Sequence, residues 1–324
     1  MTTVLVTGAT GFLGGALTRR LLGDGVRVVA LGRNQNKLSD LQSLVATTLQ
    51  CDLADLPDDM RPESCDIVVH AAALSSPWGR AADFERANIT GTASALRLAE
   101  RVGARRFINI SSPSIYFRFA DQDLLREDDP LPAPVNAYAD TKRRAEYLVS
   151  GASAFETVTL RPRGLYGPGD TALLPRLLKV AKTRPLPLMR SGVAATDLTY
   201  IDDVVESILA AMGAPSSVSG QAFNISGGVA LPVKMVAERA GKKAGIDVRW
   251  RQVSWLLVKG LATASERVCA ILPKRPEPVV TAYSAGLFAF RQTLNIQKAE
   301  QLLGWRPKVS FDEGLDKTFA GRTE

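Results

Sequence analysis

The sequence predicts an α/β protein: a doubly wound parallel sheet followed by a smaller, less regular C-terminal region. Two observations carry this. Over the first 160 residues, short β-branched runs alternate with stretches of helical period, and strand–helix–strand repetition at that spacing builds a parallel sheet covered on both faces. Beyond about residue 165 the rhythm breaks, punctuated by Pro168, Pro175, Pro185, Pro187, Pro215 and Pro232. The expected division is a domain over 1–165 and a second region over 166–324, with segments near 195–225 rejoining the sheet.

Val4–Val6, Val26–Val29, Asp66–Val69, Phe107–Ile110 and Thr157–Leu160 read as buried strands, each bounded by Gly, Asp or Ser. Phe12–Leu22 and Phe84–Val102 read as helices between them. A chain of 324 residues, 46% hydrophobic and 23% charged, has the composition of a globular protein with a sizeable core. Cys51, Cys65 and Cys269 are too few and too scattered for a disulfide framework or a metal cluster, and suit a reducing, cytoplasmic compartment. His70 is the single histidine, which leaves no set for a zinc triad or for Ser-His-Asp chemistry. Met1-Thr2-Thr3 runs straight into the first strand, so no secretory signal is expected.

The turn Thr7-Gly8-Ala9-Thr10-Gly11-Phe12-Leu13-Gly14 joins the first strand to the first helix. Glycines there permit positive φ and let backbone amides approach an anion, while the helix N-terminus adds positive charge. In a strand–turn–helix context this reads as the pyrophosphate cradle of a Rossmann dinucleotide site, with Gly14 allowing close helix–strand packing. The second strand ends Ala30-Leu31-Gly32-Arg33. The acid that usually meets the ribose of NAD is missing, and a guanidinium suits a 2′-phosphate. NADP(H) is therefore preferred and NAD(H) is the alternative; a solvated surface arginine is the plainer reading. Asp52, in Cys51-Asp52-Leu53, is placed either to meet the adenine amino group or to cap a helix.

Tyr138-Ala139-Asp140-Thr141-Lys142 follows a loop containing Pro130, Pro132 and Pro134. Residues i and i+4 share one helical face, and a cation beside a phenol favours its ionised form. Such a tyrosine exchanges a proton with a carbonyl or carbinol oxygen while hydride moves at carbon. Alone, the pattern is common by chance. It gains weight from Ser111-Ser112-Pro113-Ser114-Ile115-Tyr116 at the end of the preceding strand, since ligands of open parallel sheets bind beyond the strands' carboxyl ends. For Ser111 and Ser114, local turn bonding is the favoured reading.

With these residues in place, the sequence resembles the extended short-chain dehydrogenase/reductase family over nearly its whole length. The matching elements are TGATGFLG (7–14), CDLAD (51–55), HAAA (70–73), NITGT (88–92), ISSPSIY (110–116), YADTK (138–142), LRPRGLYGPGD (160–170), LTYIDDV (198–204) and FNISGG (223–228). The resemblance implies that Tyr138 is the acid/base and that Lys142 holds the nicotinamide ribose and tunes the phenol. It implies that Ser112, four residues before Tyr116, orients the substrate oxygen. Cofactor contacts are implied for Gly8, Thr10, Gly11, Phe12, Leu13 and Gly14, for Arg33, Asp52 and Leu53, for Ala71, Ala72 and Ala73, and for Pro162 and Leu165. Asn88, also in that set, would tie the fourth helix to the site. His70 is read as a packing residue.

Nucleotide-sugar epimerases of this family usually carry Asn where this chain has Gly164, and Arg where Thr196 precedes Asp197. A diphosphate bound without those donors loses charge-assisted hydrogen bonds worth roughly 1.5–3 kcal/mol each, unless Arg163, Arg176 or Arg190 replaces them. Ser112-Pro113-Ser114, Pro77-Trp78-Gly79 and Arg161-Pro162-Arg163 are more similar to the 3β-hydroxysteroid dehydrogenase-like branch, including bacterial 2-alkyl-3-oxoalkanoate reductases. The implied activity is NADP(H)-dependent interconversion of a ketone and a secondary alcohol on a bulky apolar substrate. The alternatives are a nucleotide-sugar epimerase or dehydratase and a non-catalytic NADP(H) sensor, the latter disfavoured by the presence of Ser112, Tyr138 and Lys142. The implied partners are a small apolar carbonyl or hydroxyl compound and, in a homodimer, a second copy; a monomer is the alternative.

The net charge of +7 is uneven: residues 241–275 hold eight bases against two acids. No nucleic-acid module accompanies them, so nucleic acid is not expected. Charges interrupt the stretch too often for it to span a bilayer. Trp, Leu and Arg mixed over 249–275 fit either a cap on the substrate pocket, the favoured reading, or an interfacial helix on a membrane. Leu302-Leu303-Gly304-Trp305-Arg306-Pro307 reads as a structural helix end.

Overall fold

The predicted strands are buried on both sides, and their residues are apolar without alternation for that reason. A computed structural model describes residues 2–44, 47–273 and 275–320. The first five strands are β1 (Thr3–Thr7), β2 (Arg27–Gly32), β3 (Thr47–Gln50), β4 (Ile67–His70) and β5 (Arg106–Ile110). After them come β6 (Gln122–Leu125), β7 (Glu156–Pro162), β8 (Leu165–Tyr166), β9 (Leu186–Leu188), β10 (Ala195–Thr196) and β11 (Thr199–Tyr200). The last four are β12 (Gln221–Ile225), β13 (Leu231–Pro232), β14 (Trp250–Gln252) and β15 (Gln292–Leu294). The main sheet has seven strands in the order β12-β7-β5-β4-β1-β2-β3, and every pairing in it is parallel. The doubly wound α/β class predicted from the sequence is the one observed, and all five predicted strands lie in this sheet.

Successive residues of one strand feed two cores. Val4 and Val6 pack with Leu17 and Leu21 of α1 (Phe12–Gly23) and with residues of a later helix, Val204 and Ile208. Leu5, between them, packs on the opposite face with Leu98 and Ala99. The helices are α2 (Gln35–Gln42), α3 (Ala81–Phe84), α4 (Gly91–Arg101), α5 (Ala137–Ser150), α6 (Leu174–Thr183) and α7 (Ile201–Gly213). A π-helical turn, Glu85–Thr90, joins α3 to α4. Arg106, 2% exposed, secures the helix-covered face: it donates to the carbonyls of Ala211 (2.8 Å) and Ala214 (2.7 Å), closing the negative C-terminus of α7.

Strand order reverses between β1 and β4, so a crevice opens beyond their carboxyl ends, the usual ligand position in such sheets. The later chain, joined by β6 from the first half, builds a four-stranded sheet, β13-β10-β15-β6, with α8 (Val233–Lys243), α9 (Trp255–Ile271), α10 (Ala282–Leu287), α11 (Gln297–Leu302) and α12 (Phe311–Phe319). Trp305 is buried, and its indole donates to the Asp203 carbonyl at 2.9 Å, while the Asp203 carboxylate accepts from the amides of Lys308 and Val309. Gly304, at φ 64°, turns the chain after α11. Lys274 of the basic segment lies outside the described residues. No described helix is long and apolar enough to cross a membrane.

Candidate active site

The cradle is shaped by backbone against backbone. Gly8 has φ 69°, and the Gly11 amide donates to the Gly8 carbonyl at 2.8 Å. A Cβ on Gly14 would lie 2.2 Å from that same carbonyl oxygen, and one on Gly8 would lie 2.7 Å from the Ala72 nitrogen. Exposed Gly11 is the N-cap of α1 and has no capping side chain. The first-turn amides of Phe12, Leu13 and Gly14 therefore have neither a helical nor a side-chain acceptor. These groups fit a dinucleotide pyrophosphate, because an anion there meets donors and no Cβ.

Thr10 packs on the end of β2, where a Cβ on Gly32 would come within 2.7 Å of it. Ala71, Ala72 and Ala73 continue from β4, Ala73 being exposed. The Arg33 side chain is 74% exposed, 3.8 Å from an Asp52 oxygen. Asp52 itself accepts from the Ala54 amide at 3.1 Å and caps the short helix Leu53–Asp55, in which Leu53 is buried. Its geometry is that of the helix cap. Pro162 ends β7 and is buried, and Leu165 opens β8 half-buried.

The three catalytic candidates come from two elements. Asn136 caps α5, its Oδ1 accepting from the Ala139 amide at 2.8 Å, and this places Tyr138 in the first turn. Tyr138 is half-buried, its ring centroid 6.4 Å from that of Phe84. Its hydroxyl has no hydrogen-bond partner among the described residues. One turn on, Lys142 is 3% exposed and its ammonium donates to the Ile110 carbonyl at 2.6 Å. Burial pushes its pKa down to about 8, against the opposing charge of Glu146. Ile110 ends β5 two residues before Ser112, so this bond pins α5 to the strand end that carries the serine. Ser112 Oγ accepts from the Ser114 amide at 3.2 Å, opening the turn Pro113–Tyr116. The turn bond thus falls to Ser112, whereas the buried hydroxyls of Ser111 and Ser114 have no partner among the described residues. That reverses the expectation of local bonding at those two positions.

A buried relay holds this end of the sheet together. His70 is 1% exposed, with Nδ1 2.8 Å from Thr7 Oγ1 and Nε2 3.1 Å from Thr92 Oγ1. Thr92 donates its proton to the Asn88 carbonyl at 2.6 Å, so Nε2 carries the ring hydrogen and Nδ1 accepts from Thr7. Burial, reinforced by the Lys142 charge, pushes the imidazole down to about 3 and keeps it neutral. Asn88 lies in the π-helical turn and is 1% exposed. Its amide accepts from Leu74 N (2.8 Å) and donates to Leu74 O (3.2 Å) and Thr141 Oγ1 (3.1 Å). It ties the loop after β4 to α5 between Tyr138 and Lys142.

Beyond the catalytic candidates lie groups whose partners no spacing in the sequence marks. Arg163, 8% exposed, donates to Gln292 and to Thr196 Oγ1 (3.0 Å) and pairs with Asp197 at 3.2 Å. Arg190 lies 2.8 Å from Asp121 and over the Phe290 ring, and Arg176 lies 3.3 Å from Glu277. Each arginine that stood as a substitute diphosphate donor is thus paired with a carboxylate. Tyr283, on α10, belongs to no motif in the sequence. Burial pushes its hydroxyl up to about 12, opposed by Arg163 and reinforced by Tyr138, so it lies within electrostatic reach of both. From Tyr283 an aromatic row continues to Phe117 at 5.0 Å, on to Phe119 at 5.4 Å, to Trp255 at 5.6 Å and to Phe290 at 5.0 Å. A separate cleft of about 210 Å³, lined by Arg143, Tyr147, Thr159 and Arg161, includes none of the catalytic candidates.

The model of the NAD dependent epimerase/dehydratase family matches residues 4–226, a span that includes the cradle, Ser112, Tyr138 and Lys142. The chain belongs to this family. The 2-alkyl-3-oxoalkanoate reductase of Stenotrophomonas maltophilia is 31% identical over 326 residues, covering 96% of this chain and 97% of its own. The decarboxylating sterol-4-alpha-carboxylate 3-dehydrogenase erg26 of Schizosaccharomyces pombe is 30% identical over 340 residues, covering 99% and 97%. The structure of UDP-glucuronic acid 4-epimerase from Bacillus cereus in complex with NAD superposes with a TM-score of 0.75 at 24% identity, covering 98% of each chain; that likeness speaks for the fold. With full-length relatives named as oxidoreductases, this member of the family is an NAD(P)-dependent dehydrogenase/reductase of the extended short-chain type.

Proposed function

We propose that this family member interconverts a ketone and a secondary alcohol on a bulky apolar substrate, with NADP(H) preferred over NAD(H). The observation that carries the reading is the aromatic row from Tyr283 to Phe290, beside which Arg163 and Arg190 are each paired with a carboxylate. Aromatic packing of this kind suits a hydrocarbon better than a nucleoside diphosphate. Two relatives point the same way. Their names describe a carbonyl or carbinol carbon next to one that bears a carboxylate, so a β-keto acid or a 3β-hydroxysteroid is the substrate kind proposed.

The cradle amides would hold the pyrophosphate, Arg33 the 2′-phosphate and Lys142 the nicotinamide ribose; the bound nicotinamide supplies or accepts hydride at the substrate carbon. In the reducing direction Tyr138 gives its phenolic proton to the carbonyl oxygen, which stays on its carbon and becomes the hydroxyl of the secondary alcohol. Ser112 hydrogen-bonds that oxygen and orients it. The Lys142 ammonium, held by the Ile110 carbonyl, stabilises the phenolate left on Tyr138.

The test is a panel of apolar ketones, β-keto acids and hydroxysteroids assayed with NADPH and NADH. The expected result is turnover of an apolar carbonyl compound, faster with NADPH. Tight binding of a UDP-sugar with no turnover of any ketone would overturn the reading in favour of the epimerase alternative.

A further inference from the structure

We propose that the outer face of α9 docks the protein on an anionic lipid surface. The helix has 17 residues, so it is about 25 Å long, and it begins at Trp255, which stands between Phe119 and Phe290 in the aromatic row. Its inner side is anchored: Trp255 packs on Phe119 and Phe290, Lys259 lies over the Phe119 ring, and Glu266 accepts from the Ala282 amide at 2.9 Å. Its outer side is the unusual one. Leu256 is 74% exposed, Leu257 60%, Leu261 63%, Val268 55% and Ile271 82%. At about 100° per residue these side chains, with the small residues between them, fill a continuous arc of about 140°. Arg267 is the one charge within it. A surface helix of a globular protein ordinarily presents the opposite face to water.

Charge identifies the occupant. Arg249 and Arg251 lead into the helix and Arg275 follows it, all exposed. Among the described residues Arg249, Arg251 and Arg267 form no salt bridge, and the one acid of the helix, Glu266, is turned inward. An apolar arc flanked by cations and free of outward acids complements an anionic headgroup layer. A second copy on the same face would set Arg267 and its neighbours against their own kind in a two-fold contact. The surface also adjoins the site: the Trp78 indole, in the loop after β4, donates to the Arg275 carbonyl at 3.3 Å. Given the apolar substrate proposed above, on which this detail alone rests, docking would place the substrate entrance against the phase in which such a substrate dissolves.

The experiment is co-sedimentation of the full-length protein with phosphatidylcholine vesicles, with and without phosphatidylserine, at low and high salt, and without substrate or cofactor. Binding is expected only to the anionic vesicles and is expected to weaken with salt. Leu257→Glu with Leu261→Glu should reduce it about tenfold or more, and Arg267→Glu should weaken it to a smaller degree. Both variants should keep the parent's circular dichroism and its NADPH-dependent turnover of a water-soluble ketone. Absence of vesicle binding, or binding indifferent to these substitutions, overturns the proposal, as does a parent dimer that Leu261→Glu splits by light scattering. Because vesicle binding is read without turnover, failure here leaves the reductase reading standing, and failure of the ketone panel leaves docking standing.

Discussion

The cradle at 7–14 and the segment over 255–290, the cap of the proposed reading, are made differently. In the cradle, backbone meets backbone, and a single added carbon at Gly14 would sit 2.2 Å from the Gly8 oxygen. In the cap, side chain meets side chain through ring contacts of 5.0–5.6 Å, which many apolar residues could replace. Backbone approach tolerates one residue type, so the cradle announces the cofactor class in the sequence. Ring packing tolerates many, so the cap conceals the substrate class. The family match ends at residue 226, before the cap helix begins.

Perturbing each side tests this contrast. The largest effect belongs to the chemistry between the two regions: Tyr138→Phe should lower turnover by about 10²–10⁴-fold with NADPH binding and circular dichroism unchanged. Steady-state kinetics with cofactor fluorescence decide it, and unchanged turnover would remove Tyr138 from its role. On the cradle side, Arg33→Ala should raise the KM for NADPH about 10–100-fold, the loss of one charge-assisted contact, and leave that for NADH alone. Equal effects on both cofactors would make Arg33 a surface residue.

On the cap side, Trp255→Ala removes two ring contacts. It should raise the KM for an apolar ketone by about tenfold with the KM for NADPH unmoved; a shift in NADPH affinity instead would mean that the two regions are not separable. The smallest effect is one of pH. The pKa of Lys142 lies lowered, at about 8, so its ammonium is present below that pH and lost above it. The rate should hold on the acid side, fall about twofold at the midpoint, and keep falling as pH rises. A rate that climbs through pH 8 would contradict the need for the cation.

Much of the sheet was legible because its strands are covered on both faces, and short apolar runs such as Val4–Val6 and Ile67–Val69, rich in β-branched residues and flanked by turn residues, suit a buried strand above all. The catalytic candidates were legible as short motifs, since Tyr138 and Lys142 are one helical turn apart and Ser112 lies just past a strand end. The bonds around them were not. Asn88 joins Thr141 across 53 positions and Leu74 across 14, and the π-helical turn that aims its amide has no signature in the residues. In sequence Asp52 suits either the adenine amino group or a helix cap, and only the folded backbone brings the Ala54 amide to its carboxylate. For Ser111 and Ser114, composition favoured local bonding; burial at the crevice, where the nearby turn donor goes to Ser112, decided otherwise.

By itself, the sequence determined the parallel sheet, the glycine cradle and the helical pairing of Tyr138 with Lys142. These depend on local conformation: φ at a glycine, burial of a strand, one turn of a helix. The tertiary structure alone decided that Lys142 is hooked to Ile110, that Arg163, Arg176 and Arg190 are paired with carboxylates, that Tyr283 packs on Phe117 and that α9 turns leucines outward. Those outcomes depend on which surfaces meet between parts of the chain far apart in sequence. Desolvation and pairing act on the folded neighbourhood of a side chain, and no local spacing encodes that neighbourhood.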